Sequence, residues 1–123
     1  MTPLLLIAGG SLGTLARYYG TKAIGEWTGS FAAGTFSVNV LGAFTIGLFL
    51  TLSQERFDWP SEWRLLVAAG FLGAFTTFST LAWETWRFAD VRDFGQATLN
   101  LGGTIVLGMI AVWAGAQLAR AVS

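Results

Sequence analysis

Neither cysteine nor histidine occurs anywhere in the chain. Disulfides, thiolate nucleophiles, imidazole general bases and the usual transition-metal ligands are excluded together, and an enzyme is not expected. Charge is scarce as well: Asp, Glu, Lys and Arg make up 11% of the residues, against roughly 25% in soluble domains. Seven basic side chains cancel seven acidic ones, and no Lys/Arg run supplies the electrostatic footprint of a nucleic-acid binder. Nucleic acid is therefore not an expected partner. The start of the chain has no positive n-region and no Ala-x-Ala cleavage site, so it reads as a first helix and not as a secretory signal.

What the chain has in abundance is apolar surface, at 54% hydrophobic residues. It gathers into four charge-free stretches, residues 2–16, 31–52, 65–83 and 94–119. A bilayer core of ~30 Å needs about 20 helical residues, which the last three stretches supply or nearly supply. The first is extended when Arg17 snorkels and Tyr18 and Tyr19 sit at the interface. The expected fold is one all-α membrane domain over residues 1–123, with spans near 2–19, 31–52, 65–86 and 94–119, placed in a lipid bilayer. Gly25, Glu26, Gly29 and Ser30 read as the first loop, Glu55 to Glu62 as the second and Arg87 to Asp93 as the third. Trp59, Trp63, Trp83 and Trp86 fall at the span ends, where an indole favours the headgroup level.

Small residues carry the expected packing. In lipid, close backbone approach replaces the hydrophobic drive between helices, so Gly9 and Gly13, with Gly34, Gly42, Gly47, Gly70, Gly102, Gly103, Gly108 and Gly115, read as contact surfaces. Orientation is undetermined. An even number of spans places Arg56, Arg64 and Arg120 on one side and Arg17, Lys22, Arg87 and Arg92 on the other, which is no excess for the positive-inside rule. Either seven charges are too few for that rule to act, or subunits insert both ways. The second case permits an antiparallel homodimer about an axis in the membrane plane.

Polar residues inside the spans are the candidates for function. Thr35 and Asn39 share a face, and an amide in hydrocarbon needs a partner, either another helix or a ligand. Thr76, Thr77, Ser79 and Thr80 follow Gly70, Gly73 and Ala74. Such a run either breaks the helix and bares carbonyls or back-bonds to the i−4 carbonyls of an intact one. Phe71, Phe75 and Phe78 form an i, i+4, i+7 stripe, either lipid contact and core or a positive ring edge offered to an anion. Arg17 either anchors the first helix or attracts anions at a vestibule, and Glu84 reads as solvated at the interface.

Taken in order, Gly9-Gly10-Ser11-Leu12-Gly13 with Arg17-Tyr18, Gly34-Thr35-Phe36-Ser37-Val38-Asn39 with Gly42, and the run from Gly70 to Thr80 with Glu84 resemble the signature of the Fluc/CrcB fluoride channels. The resemblance implies four transmembrane helices with a broken third helix, an antiparallel dual-topology homodimer, and two narrow fluoride pores in a bacterial inner membrane. It further implies a structural sodium ion on the backbone carbonyls of Gly73 and Thr76. Asn39, Phe78, Thr35, Ser79 and Thr104 would line the fluoride pathway, with Arg17 at the vestibule. The chain departs from the pattern at Leu81, where the family usually has a second phenylalanine, and at Asn100, where it often has tyrosine. The expected function is passive, fluoride-selective conduction out of the cell. The alternative is a non-conducting subunit of a heteromeric channel. A small proton-coupled exporter is disfavoured because no Asp or Glu interrupts a charge-free stretch.

Overall fold

A computed structural model of the chain describes residues 1–122, and at Arg56 the backbone alone; Ser123, the last residue of the expected domain, lies outside them. The described residues form helices and short connections, with no strand among them. Helix α1 is Thr2–Thr28. Pro3 fits its first turn, where a missing amide proton costs nothing, and Gly29 ends it at φ 78°, its amide donating to the Gly25 carbonyl at 2.8 Å. That left-handed cap suits glycine. Gly25 and Glu26, expected in the first loop, are instead helical, because one glycine within a long helix does not stop it while the next supplies the cap.

Helix α2 is Phe31–Thr51, started by Ser30, whose hydroxyl accepts from the Ala33 amide at 3.3 Å. It runs on as a π-helical turn over Leu52–Arg56, so the expected second loop shortens to the residues around Pro60. Helix α3 begins as Ser61–Trp63, widens into a π-helical stretch over Arg64–Leu72 and finishes as Gly73–Phe75. Thr76 and Thr77 are extended, at φ −93°, ψ 156° and φ −148°, ψ 122°. Helix α4 is Phe78–Asp90 and helix α5 is Phe94–Ala121. The tight connection between them turns on Arg92 at φ 63°, and the Asp93 amide reaches back to the Phe88 carbonyl at 2.8 Å. The expected third loop thus begins four residues later than read, after Asp90.

By length and composition three helical runs among the described residues can cross a membrane: Phe31–Glu55, Ser61–Asp90 and Phe94–Ala121. The second of these joins α3 and α4. Large apolar side chains such as Leu4, Ile7, Leu12, Ile105, Met109 and Trp113 point outward, while the buried set is dominated by small or slender residues: Val38, Leu72, Leu81, Ala97, Ala111 and Ala119. An inside-out distribution on this scale needs an apolar solvent, and the protein is a multi-pass membrane protein.

Helix contacts run through backbone. A Cβ at Gly47 would lie 2.3 Å from the Val112 carbonyl oxygen, and one at Gly115 would lie 2.1 Å from that of Phe44; these two approaches lock α2 to α5. Gly9 and Gly13 do the same for α1 on α3, and Gly34 for α2 on α1. Gly102, Gly103 and Gly108, read as packing surfaces, face open space in this chain, with nothing within 4 Å of an added Cβ.

Candidate functional site

The site is built on the two extended residues between α3 and α4. Asn39, in the middle of α2, holds Thr77 from both sides: its Nδ2 donates to the Thr77 carbonyl at 3.1 Å, and the Thr77 amide donates to its Oδ1 at 2.8 Å. A carboxamide has a donor and an acceptor side by side, so it pairs with one extended peptide much as a neighbouring strand would. Of the two roles open to Asn39, an interhelical bond is present, and one Nδ2 proton remains beyond it.

That pairing changes the neighbouring hydrogen bonds. In an unbroken helix the Thr77 amide would close on the Gly73 carbonyl and the Thr80 amide on the Thr76 carbonyl. Here the first goes to Asn39, and the second goes to Thr77 Oγ1 at 3.3 Å, capping α4. The Gly73 and Thr76 carbonyls are thereby released from the helix ladder. Both residues border one pocket of about 340 Å³, together with Asn39, Phe78, Leu81 and Thr104. No charged side chain lines it. The Phe78 ring is 75% exposed, whereas Leu81 is buried to 4%.

Three expected site residues lie elsewhere. Thr35, 1% exposed, donates its hydroxyl to Glu84 Oε1. Ser79 is exposed, its hydroxyl 3.5 Å from that of Thr77. Arg17 turns to α3 and donates from Nε to the Ala74 carbonyl at 3.1 Å. Thr104 borders the pocket, but its hydroxyl back-bonds to the Asn100 carbonyl at 2.6 Å.

The break also divides two patterns read as continuous. Phe71 and Phe75 stack at 5.8 Å within α3, while Phe78 starts α4, so the three rings form no single stripe. Thr76 likewise does not share a face with Ser79 and Thr80; its hydroxyl returns to the Leu72 carbonyl at 3.2 Å, and Thr77 Oγ1 pairs with Thr80 Oγ1 at 3.2 Å. A periodicity argument assumes unbroken helical rotation, and extended residues reset it.

Glu84 was the residue read least well. Instead of being solvated at the interface, it sits within the Ser61–Asp90 helix against buried Thr35, and its Oε2 is shielded with no hydrogen-bond partner. Its place one helical turn after Thr80, on the same face, was the available signal. Asn100 joins the polar set by donating to Thr85 Oγ1 at 3.1 Å, and Thr85 donates onward to the Leu81 carbonyl at 2.8 Å.

Comparison with known proteins gives close matches along nearly the whole chain. The family model described as CrcB-like protein, Camphor Resistance (CrcB), matches residues 4–116. A protein of Acidobacterium capsulatum named Fluoride-specific ion channel FluC is 46% identical over 116 residues, covering 94% of this chain and 93% of that protein. One of the same name from Solibacter usitatus is 46% identical over 121 residues, covering 98% and 99%. Another, from Geobacter sulfurreducens, is 39% identical over 122 residues, covering 98% of each chain.

Proposed function

The chain belongs to the CrcB-like family, and from that premise we propose that it is a fluoride-selective channel through which cytoplasmic fluoride leaves a bacterial cell passively. Hydrogen fluoride crosses membranes as a neutral acid and dissociates in a less acidic cytoplasm; a path for the anion drains the trapped pool. The observation that carries this reading is Asn39, which borders a pocket with polar groups, an exposed phenylalanine ring and no charge. A small anion that sheds water needs donors to replace it, and a ring edge attracts it without the deep well of a full positive charge.

The working assembly is an antiparallel homodimer of four-span subunits in the inner membrane. Helix α1 is the fourth span: its 27 residues reach roughly 40 Å at 1.5 Å per residue. Helices α3 and α4 are the halves of the broken third span. Support comes from the balanced loop charges. In each copy Asn39, Phe78 and Thr104 contact the fluoride path, Thr35 and Ser79 extend it, Arg17 stands at its vestibule, and Leu81 occupies the position of a second ring. The Gly73 and Thr76 carbonyls would hold a structural sodium ion, a hard cation suited to oxygen ligands, and two oxygens released from helix bonds fit that need. Bound there, the ion supplies positive charge against the carbonyl dipoles.

The test is anion efflux from liposomes containing only this protein. Fluoride is expected to leave rapidly and chloride to stay; equal efflux of both, or of neither, overturns the reading. Glu84 favours one competitor, a proton-coupled exporter, because it places a carboxyl group inside the bundle. An imposed proton gradient that accumulates fluoride against its own gradient would establish that competitor instead.

A further inference from the structure

Gly9, Gly13 and Arg17 recur every four residues along α1 and so occupy one face. All three meet the backbone of α3, at successive heights. A Cβ on Gly9 would stand 2.2 Å from the Leu66 carbonyl oxygen, and one on Gly13 would stand 2.1 Å from that of Phe71. At Arg17 the contact becomes polar, Nε donating to the Ala74 carbonyl at 3.1 Å. The seam therefore follows α3 through the π-helical stretch Arg64–Leu72 and ends on its last turn, Gly73–Phe75.

Both regions need outside support. A π-helical stretch is a local departure from the favoured winding, and the last carbonyls of any helix lack an intrahelical amide. Ala74 is the residue between the Gly73 carbonyl and the extended pair, and its own carbonyl is the one in that turn held by a charged donor. A guanidinium donor is stronger than a neutral one and directional. We propose that Arg17 is a positioning residue: by holding the Ala74 carbonyl it sets the rotation of the last turn of α3, and with it the direction of the carbonyls of Gly73 and Thr76, two residues that line the pocket. The inference rests on the sodium reading given above. It differs from a vestibule role, in which only the charge of Arg17 matters. That role is equally open to the side chain by location, since it also borders a pocket with Tyr18, Thr21, Lys22, Glu26 and Phe31.

The parent protein is compared with Arg17→Lys, which keeps the charge without the planar fork, and Arg17→Met, which keeps length without a donor. Two quantities are read across a sodium titration: fluoride efflux, and amide hydrogen exchange in peptides covering residues 72–78. The sodium needed to slow exchange at 72–78 is expected to rise about tenfold in Arg17→Met, in line with loss of a charged hydrogen bond, and less in Arg17→Lys. The efflux midpoint should move with it. Lys22→Gln, which removes the neighbouring charge, should leave both midpoints where they are. Reduced efflux with unmoved midpoints in both Arg17 variants, or a matching shift in Lys22→Gln, would make Arg17 a source of charge only and overturn the proposal. A parent protein indifferent to sodium in both readouts would sink the sodium site itself, a separate and recognisable failure. Should Arg17→Met not assemble, the exchange midpoint of Arg17→Lys decides alone.

Discussion

At the scale of single residues, Asn39 pairs with Thr77 and is the proposed donor to fluoride, and one substitution removes both. Asn39→Ala deletes a donor on the proposed path and also leaves the Thr77 amide and carbonyl without partners, each worth about 1–3 kcal/mol when buried. Fluoride efflux is therefore expected to vanish and thermal stability in detergent to fall with it. In Asn39→Asp, Oδ1 can still accept from the Thr77 amide, but the second oxygen opposes the Thr77 carbonyl where Nδ2 donated, and a negative charge is added. It too should lose stability and conduct no fluoride; substantial efflux through it would remove Asn39 from the path. Phe78 and Leu81 contrast in exposure. The Phe78 ring is 75% exposed, so Phe78→Leu should cost little stability in the subunit yet lower efflux sharply. Leu81 is 4% exposed, and a larger side chain in a packed site typically costs about 1–3 kcal/mol. It borders a 340 Å³ pocket, however, and a ring there can turn its edge toward the path. Leu81→Phe is expected to raise efflux at a modest loss of thermal midpoint. No gain in rate, with Phe78→Leu inactive, would leave Phe78 as the sole aromatic contact.

At the scale of helices, glycines divide by what stands opposite them. An alanine at Gly47 or Gly115 would drive its methyl to 2.3 or 2.1 Å from a backbone carbonyl, which no rotamer change relieves, so Gly47→Ala and Gly115→Ala should separate α2 from α5 and prevent stable folding. Gly108→Ala enters open space in mid-helix, where alanine is favoured by roughly 0.5–1 kcal/mol. Subunit unfolding measured in dilute detergent should show the last variant at or above the parent and the first two far below. The helix break follows a related rule of competing partners. Thr77 is extended because a side chain on another helix supplies both of its hydrogen bonds, which no local propensity of a Gly-Thr-Thr-Phe sequence encodes.

At the scale of the whole molecule, the proposed four-span topology splits seven basic residues three against four between the two sides, no excess for the positive-inside rule to act on. Glu26→Lys with Asp90→Lys adds two positive charges to the side that holds Lys22 and Arg87, and should force one orientation. If the channel is an antiparallel pair, that variant alone loses fluoride efflux in cells. Efflux returns when it is co-expressed with a variant biased the other way, such as Glu55→Lys with Glu62→Lys. Efflux from the single-orientation protein alone would argue for a parallel or monomeric channel.

Much of this protein was legible from composition and periodicity. The scarcity of charge and the long apolar stretches determine a multi-pass helical membrane protein, because unpaired backbone and charge are both costly in hydrocarbon. The motifs in three of the stretches, in order, were enough to identify the family. Tertiary structure decided what depends on the partner across the gap. It carried α1 on to Thr28, placed Asn39 on Thr77, turned Arg17 from the interface to Ala74, brought Glu84 against Thr35, and left Gly102, Gly103 and Gly108 uncovered while Gly47 and Gly115 were sealed. Side chains of one type met opposite fates in these cases, because a residue's neighbours along the chain set its periodicity while its neighbours in space supply its hydrogen bonds and contacts.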